Sequence, residues 1–230
     1  MSMSSRRSST SRPRSSTSSS AALALALVLA APAASAQFLV PWDRSPGVTI
    51  VANGDDPRIA LVEQAVSFWN GTLAEIGSGF RLGKVTRIDE RIPESELEWM
   101  SSMVVASAGK RAEIPPALRG LPGDLTVYLA HSAFISFAGP FDAERRRLIA
   151  IRSLGFPLSL PNVARNVIAH EMGHAIGLGH NADYRLLMCG RPAQCRPIEF
   201  QSDEPRMFPL SPDEKQRLLR MYPPDWKPRQ

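Results

Sequence analysis

Three histidines and a glutamate lie within eleven residues of this chain, at His170, Glu171, His174 and His180. The spacing H-E-x-x-H-x-x-G-x-x-H supplies the three imidazoles and one carboxylate that a catalytic zinc ion needs. On a helix, His170 and His174 are four residues apart and stack on one face, so both rings can reach the same metal ion. We therefore expect one Zn²⁺, held by His170, His174 and His180.

Gly177 lies where this helix must end if His180 is to return to the metal. Glycine tolerates the left-handed backbone conformation that reverses a chain after a helix. Three neutral histidines leave the fourth position of a tetrahedral zinc open for water, whereas a structural zinc site uses four protein ligands. Glu171 is placed to take a proton from that water and to hand it to a leaving amine. The spacing therefore favours a catalytic site over a structural one.

The motif, together with Met188 eight residues after His180, resembles the metzincin metalloproteases, most closely their matrixin branch. The resemblance implies that 187–190 forms the family's Met-turn, with Met188 as an apolar floor beneath the three histidines, a role that suits a soft thioether. Weaker similarities at 65–69 and 210–214 extend the likeness over about 48–222. The family would make the chain a zinc endopeptidase that acts on protein or peptide substrates.

Departures from the matrixin pattern are equally informative. No cysteine precedes the motif, so the propeptide cysteine that keeps matrixins latent has no counterpart here. His131 is the one histidine outside the motif and cannot rebuild the second, structural zinc site of matrixins. No Asp/Gly-rich loop of the EF-hand type is present, so calcium binding is left open without support.

The first 36 residues have the order of a cleaved signal peptide. Four arginines and no acidic residue precede an apolar run at 21–31, and Ala34-Ser35-Ala36 follows as a small-residue cleavage site. The run is shorter than the roughly 20 residues of a membrane span, so an uncleaved anchor is the less favoured alternative. We expect a secreted or extracellular protein with no stable membrane insertion. A periplasmic or cell-surface location, and the choice between Sec and twin-arginine export, stay open.

The charge and the length of the chain further limit the functions that fit the sequence. Removing the leader takes away four of 27 basic residues and none of 22 acidic ones, so the net charge falls from +5 to +1. No basic stripe with interleaved aromatic residues remains, which argues against nucleic-acid binding. The remaining stretch, 37–230, suits one domain, and we expect it to be a monomer.

The chain has two cysteines, Cys189 and Cys195, separated by a short loop. In an exported protein such an even, close pair indicates a disulfide that would stiffen one wall of the site. Two free thiols are the alternative. Zinc ligation by cysteine is less favoured because three histidines already suffice.

The remaining elements must position the motif. Strands are predicted at 48–51, 80–88, 124–130, 134–137 and 148–152, and one of the last two should form the sheet edge that faces the cleft. Apolar spacing predicts a long helix around 62–76, and the metal-binding helix follows Pro161. Ser211 and Glu214 form a capping box for a final helix that ends near Met221. The stretch 92–122 stays unassigned, and Pro197–Phe200 are candidates for the specificity pocket.

With the resemblance, these elements predict an α+β domain of the zincin or metzincin type over 37–230. It would have a twisted mixed sheet of five strands, two long helices and a C-terminal helix. The preferred function is a secreted zinc metalloendopeptidase. One alternative is a secreted zinc-binding interaction module without catalysis. Another is a hydrolase of non-peptide bonds, since zinc chemistry also serves other carbonyls.

Overall fold

The computed structural model describes residues 41–106, 116, 120–140, 146–190, 195, 202 and 204–229. Its elements are β1 (Val48–Val51), α1 (Arg58–Glu75), β2 (Val85–Ile88), α2 (Glu94–Ala106), β3 (Leu125–Leu129), β4 (Phe137–Pro140), β5 (Arg147–Ile151), α3 (Pro161–Ala175) and α4 (Pro212–Met221). The predicted signal peptide at 1–36 and the candidate specificity segment at 197–200 lie outside the described residues.

The five strands form one mixed sheet in the order β2-β1-β3-β5-β4. The first four are parallel, and β4 pairs antiparallel with β5 at the edge. Every residue of β1, β3 and β5 is buried, as expected for parallel strands covered on both faces. The predicted mixed five-stranded sheet with two long helices and a C-terminal helix is confirmed. Of the two candidates for the edge, β4 is the edge strand.

Side chains that alternate along the strands divide the core between the two sheet faces. Ile50, Val127 and Ile149 belong to the core that contains α1, α3 and α4. Val51 and Tyr128 belong to a second core with residues of α2. Helix α3, which carries the motif, packs against α1 on one face of the sheet and also contacts β4 and β5.

Two strands, β2 and β4, differ from the prediction by more than one residue at a boundary. The second strand begins at Val85 rather than residue 80, because the Asn70 side chain of α1 exchanges hydrogen bonds with both backbone groups of Leu82, at 3.1 and 2.8 Å. The edge strand is Phe137–Pro140 rather than 134–137. It begins late because Ile135 exchanges both backbone hydrogen bonds with the Ser101 hydroxyl, and it ends late because 138–140 also pair with β5. In both cases a tertiary contact takes the backbone groups that a ladder would need.

Among the helices in the described ranges, none combines the length and apolar composition that crossing a membrane requires.

A buried ion pair at the start of α1 bonds to the chain just beyond the carboxyl ends of β3 and β5. Arg58 donates from Nε and Nη2 to the Asp56 carboxylate at 2.9 and 2.6 Å, and also donates to Ala130 O and Arg152 O. Burial alone would raise the pKa of Asp56, but the hydrogen bonds and charge of Arg58 outweigh it and hold that pKa below its usual value.

We expect Asp56→Asn to lower the free energy of unfolding by about 3–5 kcal/mol at pH 7, because it leaves a buried guanidinium without its counter-charge. The pKa of Asp56 is lower in the folded state than in the unfolded state. Its contribution to the free energy of unfolding is therefore complete above the unfolded-state pKa, and it disappears as the pH falls through the folded-state pKa. Urea unfolding at pH 7 and below pH 4 measures both effects. Equal stability of the two proteins at pH 7 would show that the pair is dispensable.

Candidate metal centre

The helix α3 presents the first two histidines on one face. Pro161 occupies its first turn and Leu160 is extended just before it, which suits a proline-initiated helix. The Trp69 indole of α1 donates to Ala169 O at 2.9 Å, one residue before His170. The rings of His170 and His174 lie 4.6 Å apart between centroids. The two side chains thus lie on one face of the helix, as predicted, with their ring planes nearly perpendicular.

The helix ends in a Schellman turn, which brings the third histidine back toward the first two. Leu178 N–H donates to Gly173 O and Gly177 N–H to His174 O, each at 3.0 Å, and Gly177 has a φ of 110°. This is the left-handed conformation expected of a glycine at this position. The reversed chain brings His180 Nε2 to 2.9 Å from His174 Nε2 and 3.2 Å from His170 Nε2.

The outer ring nitrogens fix the direction of the rings. His170 Nδ1 lies 2.8 Å from Leu187 O, and His174 Nδ1 lies 2.8 Å from Leu178 O. A carbonyl only accepts, so each Nδ1 carries the proton and each Nε2 turns a lone pair toward the other histidines. Metal-binding histidines are usually oriented in this way. Without a cation between them, these lone pairs would face one another.

The three histidines fit a zinc ion by donor type and by spacing. Among the described residues, they form the one group of His, Cys, Asp or Glu side chains close enough to share a metal. A tetrahedral zinc with Zn–N bonds of about 2.0–2.1 Å separates its ligand nitrogens by about 3.3 Å, close to the distances here. Burial lowers the pKa of His170 to about 4 and also lowers the pKa values of His174 and His180. The imidazoles are therefore neutral at pH 7, as metal ligation requires.

Glu171 lies between the histidines and the edge of the sheet. Its side chain is buried, and burial raises its pKa to about 8 despite an opposing hydrogen bond from the backbone N–H of Ala138 in β4. A nearby divalent cation would lower this pKa. A carboxyl group that titrates near neutral pH suits proton transfer.

Met188 is fully buried, and its segment contacts both ends of the motif. Its carbonyl accepts from Asn181 N–H at 2.8 Å, next to the third histidine, while the Leu187 carbonyl faces His170. A Cβ at Gly173 would lie 3.0 Å from Met188 Cε, so the thioether packs directly on α3 between the two helical histidines. Met188 thus packs on the metal-binding helix, and its role as a floor beneath the histidines stays a prediction.

Two contacts, one of the third histidine and one of the residue after it, have no signal in the sequence. Gly190 lies flat against the His180 ring, and a Cβ at this residue would overlap Cγ, Cδ2 and Nδ1 of that ring. Asn181 donates to Glu214 Oε1 at 2.6 Å, while Glu214 also completes the predicted capping box with Ser211. The start of α4 is thereby tied to the residue after His180.

His131 is outside the histidine cluster. It lies on the exposed turn after β3, and its backbone N–H donates to Glu94 Oε1 at 2.8 Å. Only the motif histidines meet.

Cys189 and Cys195 form the expected disulfide, which excludes the free-thiol alternative, and neither joins the metal cluster. The bond closes a loop with a sequence separation of six, next to Met188 and Gly190. We expect the double variant Cys189→Ser/Cys195→Ser to lose about 2 kcal/mol of stability, because the unfolded chain gains the entropy that a short loop removes. Denaturant unfolding measures the loss. Alkylation of both thiols in native, non-reduced protein would contradict the disulfide itself.

A scan against protein-family models finds no match, and a search of curated proteins finds none. The solved structures that are similar to this chain include the following two. One is archaemetzincin from Methanopyrus kandleri, at 19% identity and a TM-score of 0.46, covering 78% of this chain and 96% of that one. The other is metalloproteinase-II from Bacteroides fragilis, at 14% identity and a TM-score of 0.47, covering 80% of this chain and 54% of that one. Neither likeness bears on the matrixin branch, which stays a prediction. At this level of similarity, the chemistry of the chain must be inferred from its own site.

Proposed function

We propose that this protein is a secreted zinc-dependent metalloendopeptidase of the metzincin type. The observation that carries the proposal is the convergence of three histidine Nε2 atoms beside a buried carboxylate, with two of the rings oriented by backbone carbonyls at Nδ1. The Nδ1 partners of His170 and His174 are backbone carbonyls, so Glu171 is not needed to orient these two ligands and is available for proton transfer.

His170, His174 and His180 would hold the zinc, and Met188 would support their rings from below. Bound there, zinc would lower the pKa of a water molecule to about 7 and polarise the scissile carbonyl. Glu171 would accept the proton of that water and deliver it to the leaving amine. The Ala138 N–H keeps the carboxylate aimed at the site while the proton is transferred.

The edge strand supports a peptide as substrate. β4 has a sheet partner on one side, β5, and its Ala138 is in contact with the general base. An extended peptide can add to such an edge through main-chain hydrogen bonds, which bring a peptide carbonyl to the site without strict sequence demands. Pairing of this kind holds an extended segment through its main chain, so it also suits peptide bonds in the interior of a chain.

Export is a further part of the proposal. The signal-like order of residues 1–36 and the disulfide between Cys189 and Cys195 both fit an oxidising compartment outside the cytosol. We propose that the protein acts there as a monomer.

The test is cleavage of a mixed peptide library by the purified protein, with new termini identified by mass spectrometry. We expect internal cleavage that stops when a chelator removes the metal and returns when zinc is added. Cleavage that persists in metal-free protein would contradict the proposal. One bound zinc with no peptide cleaved would favour the interaction module, which retains a metzincin-like site without turnover, or a non-peptide substrate.

A further inference from the structure

The end of α3 leaves two buried carbonyl groups that the Schellman turn does not satisfy. The last carbonyls of a helix have no partner within it. The turn satisfies Gly173 O and His174 O, but Ala175 O and Ile176 O remain, and both residues are fully buried. A buried carbonyl without a hydrogen bond is costly. Other parts of the chain must therefore supply the donors.

Three buried side chains from distant parts of the sequence supply them, and we call Trp42, Arg147 and Tyr222 the carbonyl clasp. Trp42 Nε1–H donates to Ala175 O at 3.0 Å, and Arg147 Nη1 donates to the same oxygen. Tyr222 donates from its hydroxyl to Ile176 O at 2.9 Å. The helix end is thus held from the N-terminal segment, from β5 and from the residue after α4.

The members of the clasp also hold one another. Trp42 N–H donates to the Tyr222 hydroxyl at 3.2 Å, and the Arg147 guanidinium lies 4.2 Å from the centre of the Trp42 ring. A cation over an indole face is attractive, and a cation at the carboxyl end of a helix complements its dipole. The clasp therefore behaves as one unit rather than as three separate contacts.

The position of the clasp connects it to the metal centre. Ala175 follows His174 directly, and Ile176 is four residues before His180, so the clasped peptide groups lie between two of the three histidines. Any rotation of these groups would change the angle at which the chain leaves the helix. That angle decides where His180 meets His174.

We propose that Trp42, Arg147 and Tyr222 are positioning residues for the metal centre, which act through the turn at 175–177 to fix His180 against His174. The proposal rests on the zinc site of the proposed function. It predicts that zinc affinity depends on an indole N–H far from the metal in the sequence.

The test compares zinc affinity with stability in full-length protein. Trp42→Phe keeps an aromatic ring but removes the indole N–H, and Tyr222→Phe removes a single hydroxyl. Leu97→Ala is the control, because Leu97 is fully buried in the second core on the opposite face of the sheet. Zinc dissociation constants come from competition with a chelating dye, and the unfolding of metal-free protein is followed in urea. Circular dichroism confirms that each protein is folded during titration.

We expect Trp42→Phe and Tyr222→Phe to weaken zinc binding about tenfold, as loss of groups that orient ligands does. Leu97→Ala should destabilise the metal-free protein at least as much while it changes the zinc dissociation constant less than about twofold. Unchanged zinc affinity in both clasp variants would overturn the proposal, and so would equal weakening in Leu97→Ala. If Trp42→Phe does not fold, the zinc affinity of Tyr222→Phe alone tests the proposal. Wild-type protein that binds no zinc would instead refute the proposed function.

Discussion

Replacing Glu171 with glutamine is expected to lower kcat/KM for peptide cleavage by about 10²–10⁴-fold, the usual contribution of general acid–base catalysis. Glutamine has nearly the same shape and can still accept the hydrogen bond from Ala138, but it cannot take up a proton. The three histidines do not involve this side chain, so one zinc per chain should remain bound. Steady-state kinetics and metal analysis on the same sample separate the two effects.

The same change should not destabilise the metal-free protein. Glu171 is buried, and its raised pKa shows that the protein interior disfavours the charged carboxylate. A neutral amide avoids that desolvation, so the free energy of unfolding at pH 8 should stay level or rise. His174→Ala is the matched comparison and should lose both zinc and activity. Wild-type activity in Glu171→Gln would remove the proposed general base.

Gly190→Ala is expected to weaken zinc binding by about 100-fold, the upper end of what groups next to metal ligands contribute. The added methyl group would occupy the space of the His180 ring. Because Gly190 N–H is bonded to Asn181 O at 3.0 Å, its backbone cannot retreat without disturbing the residue after His180. The ring must therefore move away from the other two histidines. Chelator competition measures the affinity, and cleavage should fall with zinc occupancy.

The control for this prediction is Gly71→Ala in α1. A Cβ at Gly71 meets nothing within 4 Å, so the methyl group has room, and alanine is the better helix former by about 1 kcal/mol. Gly71→Ala should keep wild-type zinc affinity and gain slightly in stability. Equal zinc affinity in Gly190→Ala and wild type would show that the His180 ring is not confined by this contact.

The metal cluster could be predicted from the sequence because its geometry is almost entirely local. Helix periodicity alone stacks His170 on His174, and the glycine at 177 encodes the reversal that returns His180. The sheet was predictable for a similar reason, since the apolar strands at 48–51 and 124–130 need no distant partner to be identified. Their parallel pairing follows from the helices between them.

The parts that could not be predicted depend on contacts between distant residues. The hydrogen bond from Trp42 to Ala175 joins residues 133 positions apart, and no periodic pattern in the sequence predicts such a pair. The contact of Gly190 with His180 could not be predicted either. A glycine in a turn is normally explained by the backbone conformation that it allows, not by a neighbouring side chain. Helix α2 was not predicted, because its buried stripe of Leu97, Met100 and Val104 is obscured by apolar residues outside it, such as Trp99, which is 44% exposed.

The central claim is that three histidines hold one zinc with a fourth position open to water. X-ray absorption spectroscopy of the zinc-loaded protein tests it directly, because the technique reports the type, number and distance of the ligand atoms. We predict three imidazole nitrogens at about 2.0–2.1 Å, one further oxygen ligand, and no sulfur at about 2.3 Å. A sulfur ligand, a fourth protein nitrogen or the absence of stoichiometric zinc would contradict the account.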